Sequence, residues 1–190
     1  MAEKREISRG RYIYYLVILI CASILLYLFV MRDMRFFLVP TPSMEPTFQP
    51  RDYIMTLNDN TYERGDLVVL EDPLEMDAYV VKRIVGVGGD TVSVTWGALF
   101  LNDSYVSEPY IREPFIEYHL APHEVPEGHV FVLGDNRNES DDSSNWPQHS
   151  VSEDSIVGKV RLIYLPFGRQ QWVRGYPLAL APPQEPVVHH

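Results

Sequence analysis

Tyr79-Val80-Val81-Lys82-Arg83-Ile84-Val85-Gly86 decides the fold, because a dense run of β-branched residues favours a pleated strand over a helix. Side chains alternate along a strand, so Lys82 shares a face with Val80 and Ile84. An ammonium on such a face loses hydration, and its pKa falls. Similar short runs occur at Tyr53–Leu57, Leu67–Leu70, Thr91–Val94 and Val130–Leu133, separated by Gly, Asp, Asn and Pro. That pattern predicts a mainly β fold built on antiparallel sheet. Asn102-Asp103-Ser104, between Ala98–Leu101 and Tyr105-Val106, predicts a hairpin turn. Ser155 to Leu165 reads as a further strand, ended by Pro166-Phe167-Gly168. Pro109 to Gly128 reads as an irregular excursion from the sheet. Tyr176 to His190, Pro-rich and uncharged apart from Glu185, reads as a disordered tail.

Upstream of the β pattern, Tyr12 to Met31 is uncharged and mostly apolar. About 20 residues of helix cross a hydrocarbon core. A cleaved secretory signal has an apolar stretch of roughly 7 to 15 residues and a small-residue cleavage site, and Leu25 to Phe36 offers none. The run is therefore expected to be a retained transmembrane helix. Lys4, Arg5, Arg9 and Arg11 precede it, which keeps residues 1–11 cytoplasmic and puts the body outside, although Arg32 and Arg35 follow. The expected plan is a cytoplasmic segment 1–11, a span 12–31, an extracytoplasmic β-rich domain 36–170 and a tail 176–190. Phe36-Phe37-Leu38-Val39 reads as a strand leaving the membrane, an apolar patch lying on it, or core. A net charge of −10 disfavours nucleic acid as a partner. The single cysteine, Cys21, permits no intrachain disulfide.

Between helix and sheet lies Pro40-Thr41-Pro42-Ser43-Met44-Glu45-Pro46-Thr47. Pro42 and Pro46 fix φ and hold Ser43 with little local freedom. Serine becomes a nucleophile only beside a base, and a desolvated Lys82 supplies one. Ser43 and Lys82 are the candidate catalytic pair.

These two segments, with Gly65-Asp66-Leu67-Val68-Val69 between them and Gly134-Asp135-Asn136-Arg137-Asn138-Glu139-Ser140-Asp141-Asp142-Ser143 after them, resemble the bacterial type I signal peptidase (leader peptidase) family. The resemblance runs from about Pro40 to Arg169. It implies a signal-peptidase-like serine endopeptidase in the cytoplasmic (inner) membrane, with its catalytic domain on the extracytoplasmic side, acting on signal-peptide-bearing preproteins. It implies Ser43 as nucleophile, Lys82 as base, and the Thr41 hydroxyl with the Ser43 N–H as the oxyanion hole. Ser140 corresponds to the lysine-orienting serine, and Asp142 with Arg83 to an ion pair that braces the site. The pocket for the small side chain before the scissile bond would be lined by Met44, Phe48, Val80 and Val81, and the substrate would add as a strand near Pro40 or Val80. Departures from the family pattern are Ser144 where many members carry arginine, Pro147 where glycine usually follows the tryptophan, Val80 for a frequent aromatic, and Val87-Gly88-Gly89-Asp90 where Leu-Pro-Gly-Asp is common.

No cofactor is implied. His119, His123, His129 and His149 lack metal-ligand spacing and read as surface or loop residues. Self-cleaving repressors share Ser/Lys chemistry but require a DNA-binding module, which this sequence lacks. An inactive anchored β domain serving as a binding factor is the remaining alternative, and activity on a preprotein separates it from an enzyme.

Overall fold

A computed structural model describes residues 9–59 and 61–178. The chain divides into two compact units, one ending at Met34 and the other beginning at Arg35. The first is helix α1, Arg9–Arg32, about 36 Å long at 1.5 Å per residue. Between Tyr12 and Leu28 its side chains are exposed around the whole circumference. Within this apolar stretch the Ser23 hydroxyl donates to the Leu19 carbonyl at 2.8 Å and so needs no outside partner. Most of the expected cytoplasmic segment, residues 1–8, and most of the expected tail, 179–190 with His189 and His190, lie outside the described residues.

The second unit is antiparallel β. In chain order its strands are β1 Met34–Leu38, β2 Tyr53–Leu57, β3 Leu67–Glu71, β4 Tyr79–Val87, β5 Thr91–Thr95 and β6 Ala98–Leu101. They continue with β7 Ser104–Tyr105, β8 Leu120–Glu124, β9 His129–Leu133, β10 Val151–Ser152, β11 Ile156–Leu165 and β12 Gln171–Trp172. One sheet runs β1-β2-β11-β3-β4-β9-β10, with β12 paired to β11; a smaller one runs β7-β6-β5-β8. Each strand expected from the sequence is present within a residue or two. The hairpin joins β6 to β7 with φ of 52° at Asn102 and 63° at Asp103, the paired left-handed conformation of a tight hairpin turn.

Three apolar clusters cover both faces of the large sheet. Leu67 and Val69 point into one with Met44, Phe48 and Ile54. Their neighbours Val68 and Leu70 point into another with Ile84, Val132 and Trp146. The third fills the space against the small sheet, around Val92, Leu99 and Phe131. A strand covered on both faces shows no polar alternation, which explains the continuous apolar runs in β3 and β4.

Two expectations are corrected here. The stretch 109–128 is not wholly irregular, because it contains β8, paired antiparallel to β5. β8 carries Pro122 and His123 and is mostly exposed, so its sequence lacks an apolar rhythm. Proline is tolerated because β8 is an edge strand, whose outer side needs no ladder donor. Residues 176–178, expected to belong to a disordered tail, are held against the β unit: the Tyr176 N–H donates to the Gly65 carbonyl at 3.2 Å, and Leu178 packs on the cluster against the small sheet. The β unit thus extends past residue 170, through β12 and this strap.

Candidate active site

Ser43 sits in a short 3-10 turn, Pro42–Met44, between β1 and β2. Pro42 opens the turn, where a missing N–H costs nothing, and Met44 anchors it as a fully buried core residue. Lys82 projects from the middle of β4, where only 2% of its surface is exposed. The two meet across a separation of 39 positions, with Lys82 Nζ 3.1 Å from Ser43 Oγ. A second hydroxyl, Ser140 Oγ, lies 3.0 Å from the same Nζ. The Thr41 hydroxyl is 3.2 Å from Ser43 Oγ. Burial pushes the Lys82 amine below the ordinary lysine range, opposed by the carboxylates of Asp142, Asp141, Asp72 and Asp135.

Thr41, Ser43 and Lys82 face a cleft of about 580 Å³. Phe37, Val39, Ile54, Val69 and Val81 form an apolar wall, while Leu74 and Trp146 line it elsewhere. One edge of the cleft is an unpaired stretch of backbone. Tyr79 to Lys82 pair with β3, but pairing of β4 with β9 begins only at Arg83. That leaves main-chain groups of residues 79–82 open on the side away from β3, ready for an added strand.

The loop after β9 supports the site in ways the sequence did not disclose. The Asn136 N–H donates to the Ser43 carbonyl at 3.0 Å, and Asn136 Nδ2 donates to the Pro42 carbonyl at 3.2 Å. Gly134 lets this loop approach: a Cβ there would stand 2.3 Å from Ser140 Oγ and 2.5 Å from the Ser43 carbonyl oxygen. The sequence placed these residues in a motif without showing what they touch, because main-chain contacts leave no side-chain signature.

The expected ion pair is corrected. Arg83 binds Asp135, not Asp142, through Nε and Nη2 at 2.7 Å each. Arg83 lies mid-strand in β4 opposite Leu133, the last residue of β9, and Asp135 follows two residues later on the loop. Arg83 also donates to the Gly65 carbonyl at 3.1 Å and stacks 3.8 Å over the Tyr110 ring. Asp142 instead accepts from the Gly134 N–H at 2.9 Å and from the Ser144 hydroxyl at 2.8 Å. The expected pocket is corrected too: Val80 and Val81 line the cleft, whereas Met44 and Phe48 are fully buried in the cluster behind it. Their side chains fill core below the turn and back the wall through cluster neighbours that line the cleft, Val39, Ile54, Val69 and Val81. His149 lies in a loop as expected, whereas His123 lies in β8; their rings are 5.1 Å apart, and His123 contacts Ser150 Oγ at 2.8 Å.

A serine hydroxyl beside a buried amine at the rim of a cleft is an arrangement that a serine peptidase can use, and comparison with known proteins gives that class. The family model described as "Signal peptidase, peptidase S26" matches residues 9–165, and the chain belongs to that family. Signal peptidase I U of Bacillus subtilis (strain 168) is 32% identical over 90% of this chain and 97% of its own length. Thylakoidal processing peptidase 1, chloroplastic, of Arabidopsis thaliana is 38% identical over 67% of this chain; the match spans 41% of that longer protein. A solved signal peptidase I from Enterococcus faecalis V583 superposes with a TM-score of 0.45 and 29% identity, covering 53% of this chain and 97% of that one.

Proposed function

We propose that this chain is a membrane-anchored serine endopeptidase that removes N-terminal signal peptides from exported preproteins, with Ser43 as nucleophile and Lys82 as general base. The observation that carries the reading is the 3.1 Å approach of Ser43 Oγ to an amine that burial drives toward its neutral form. Only a neutral amine has the lone pair to accept a proton.

Lys82 Nζ takes the Ser43 proton as Oγ bonds to the scissile carbonyl carbon, and the carbonyl electrons move onto oxygen. The Thr41 hydroxyl and Ser43 N–H stabilise that oxyanion. Collapse restores the carbonyl and breaks the C–N bond, with the Lys82 ammonium returning its proton to the departing amine of the mature protein. Water then attacks the ester while Lys82 again accepts a proton, which it passes to Ser43 as the signal peptide leaves. Ser140 holds Nζ on line throughout. The substrate backbone pairs with the open edge at 79–82, and the wall formed by Val39, Ile54 and Val81 admits only small side chains beside the scissile bond.

The fully exposed apolar surface of α1 supports insertion in a bilayer, with Arg9 and Arg11 on the cytoplasmic flank and the β unit in the extracytoplasmic space. The test is cleavage of a preprotein from pH 6 to 10. A lowered pKa means that Lys82 becomes neutral, and activity rises, through a pH below the roughly 10.4 of free lysine. Lys82→Met, similar in length but without an amine, is expected to lose activity at every pH. Near-normal turnover by the folded Lys82→Met protein eliminates the mechanism.

A further inference from the structure

Four aspartates of the β unit are almost wholly excluded from water: Asp52, Asp90, Asp135 and Asp142. A buried carboxylate needs strong compensation, and three of the four have a guanidinium. Arg169 donates twice to Asp52, each time at 2.8 Å. Arg64 Nε donates to Asp90 at 2.8 Å, and Arg83 holds Asp135. Among the described residues Asp142 has no such cation. Its Oδ2 accepts from the Gly134 N–H, and its Oδ1 accepts from the Ser144 N–H at 3.0 Å and the Ser144 hydroxyl at 2.8 Å. Neutral donors satisfy lone pairs without cancelling net charge.

Asp142 is also tied to the base. It belongs to the loop whose Ser140 touches Lys82 Nζ, and its donor Gly134 lies against both Ser140 and Ser43. A buried charge is screened by salt and water less than an exposed one, so its field at the amine is correspondingly stronger.

We propose that Ser144, by giving Asp142 a neutral donor in place of a cation, leaves that carboxylate to act on Lys82 and thereby sets the pH at which the base becomes active. The inference rests on the Ser43/Lys82 reading above. The other ionisable groups around Lys82 are accounted for. Asp135 on the loop after β9 is matched by Arg83 of β4 itself. Asp72 and Tyr79, at the β3–β4 connection, are partly or fully open to water, as are Glu139 and Asp141 on the loop that carries Ser140. Glu45, beyond the nucleophile turn, is paired with Arg112 at 3.0 Å. Among the carboxylates that hold the amine's proton on, Asp142 acts most strongly, against the dominant effect of burial.

Three substitutions at Ser144 separate charge from shape. Ser144→Arg supplies a cation, Ser144→Gln a neutral donor of comparable reach, and Ser144→Ala no side-chain donor. The acidic limb of the pH–activity profile is expected to move down by about half to one unit in the arginine variant. It should stay in place in the glutamine and alanine variants, neither of which adds a charge beside Asp142. The same pattern is expected in a titration of Lys82 itself, followed by its ¹³Cε resonance in the full chain in detergent micelles with Ser43→Ala in the background. That measurement needs no turnover. If the wild-type chain cleaves no preprotein, the Ser/Lys reading fails while the titration still decides the electrostatic claim. A Lys82 pKa unmoved by Ser144→Arg, or moved equally by Ser144→Gln, overturns it.

Discussion

Gly134 shows how much of this site depends on a residue that does no chemistry. Its Cα faces the Ser140 hydroxyl on one side and the Ser43 carbonyl on the other. A methyl group 2.3 Å from the hydroxyl and 2.5 Å from the carbonyl oxygen overlaps both, so Gly134→Ala must push Ser140 off Lys82 or shift the nucleophile turn. A misplacement of about 1 Å can cost on the order of 100-fold. The expected outcome is a loss of that size in kcat on a signal-bearing preprotein, with circular dichroism unchanged. Retention of full activity would show that the close approach is not needed. Ser43, Lys82 and Ser140 were legible in the sequence because ordered motifs carry them and because Lys82 interrupts a β-branched run. The partner of Arg83 was not, since Asp135 and Asp142 are both aspartates in one motif. Only the path of the chain after β9 decides which of them faces β4.

Elements came through according to length and setting. β3 and β4 were readable because both faces are covered, so apolar residues run on without interruption. β8 was hidden by Pro122 and by its exposure at a sheet edge, and β10 and β12 are two residues each, too short for any period to register. What fixes the loop after β9 against β4 is a buried strut: Asp135 bound to Arg83, Thr47 donating to Asp135 Oδ2 at 2.5 Å, and Tyr110 under the guanidinium. Removing one member of a buried pair leaves the other charge uncompensated and costs about 3 to 5 kcal/mol. Asp135→Asn is therefore expected to lower the denaturation midpoint by that equivalent in urea unfolding. A loss below about 1 kcal/mol, the range of surface pairs, would mean that the strut is not structural.

At the scale of the molecule, an apolar helix and a polar-faced β unit make opposite demands on solvent. If α1 spans the bilayer as proposed, protease added to intact cells or right-side-out vesicles should digest the unit from Arg35 onward while sparing residues before α1. Protection of the β unit, with an external control protein degraded, would reverse the assigned orientation. The helix and its basic flank were plain in the sequence, whereas sheet order was not. Alternation identifies strands but says nothing about which strand lies beside which. That order has a consequence in time. β11 begins at Ile156, yet it lies between β2 and β3, joining the half of the sheet that carries Ser43 to the half that carries Lys82. A chain still emerging has both residues long before it has the strand that unites them, and such non-local pairing forms late. On the proposed Ser43/Lys82 reading, proteolytic power is thus withheld from the nascent polypeptide until β11 has been made.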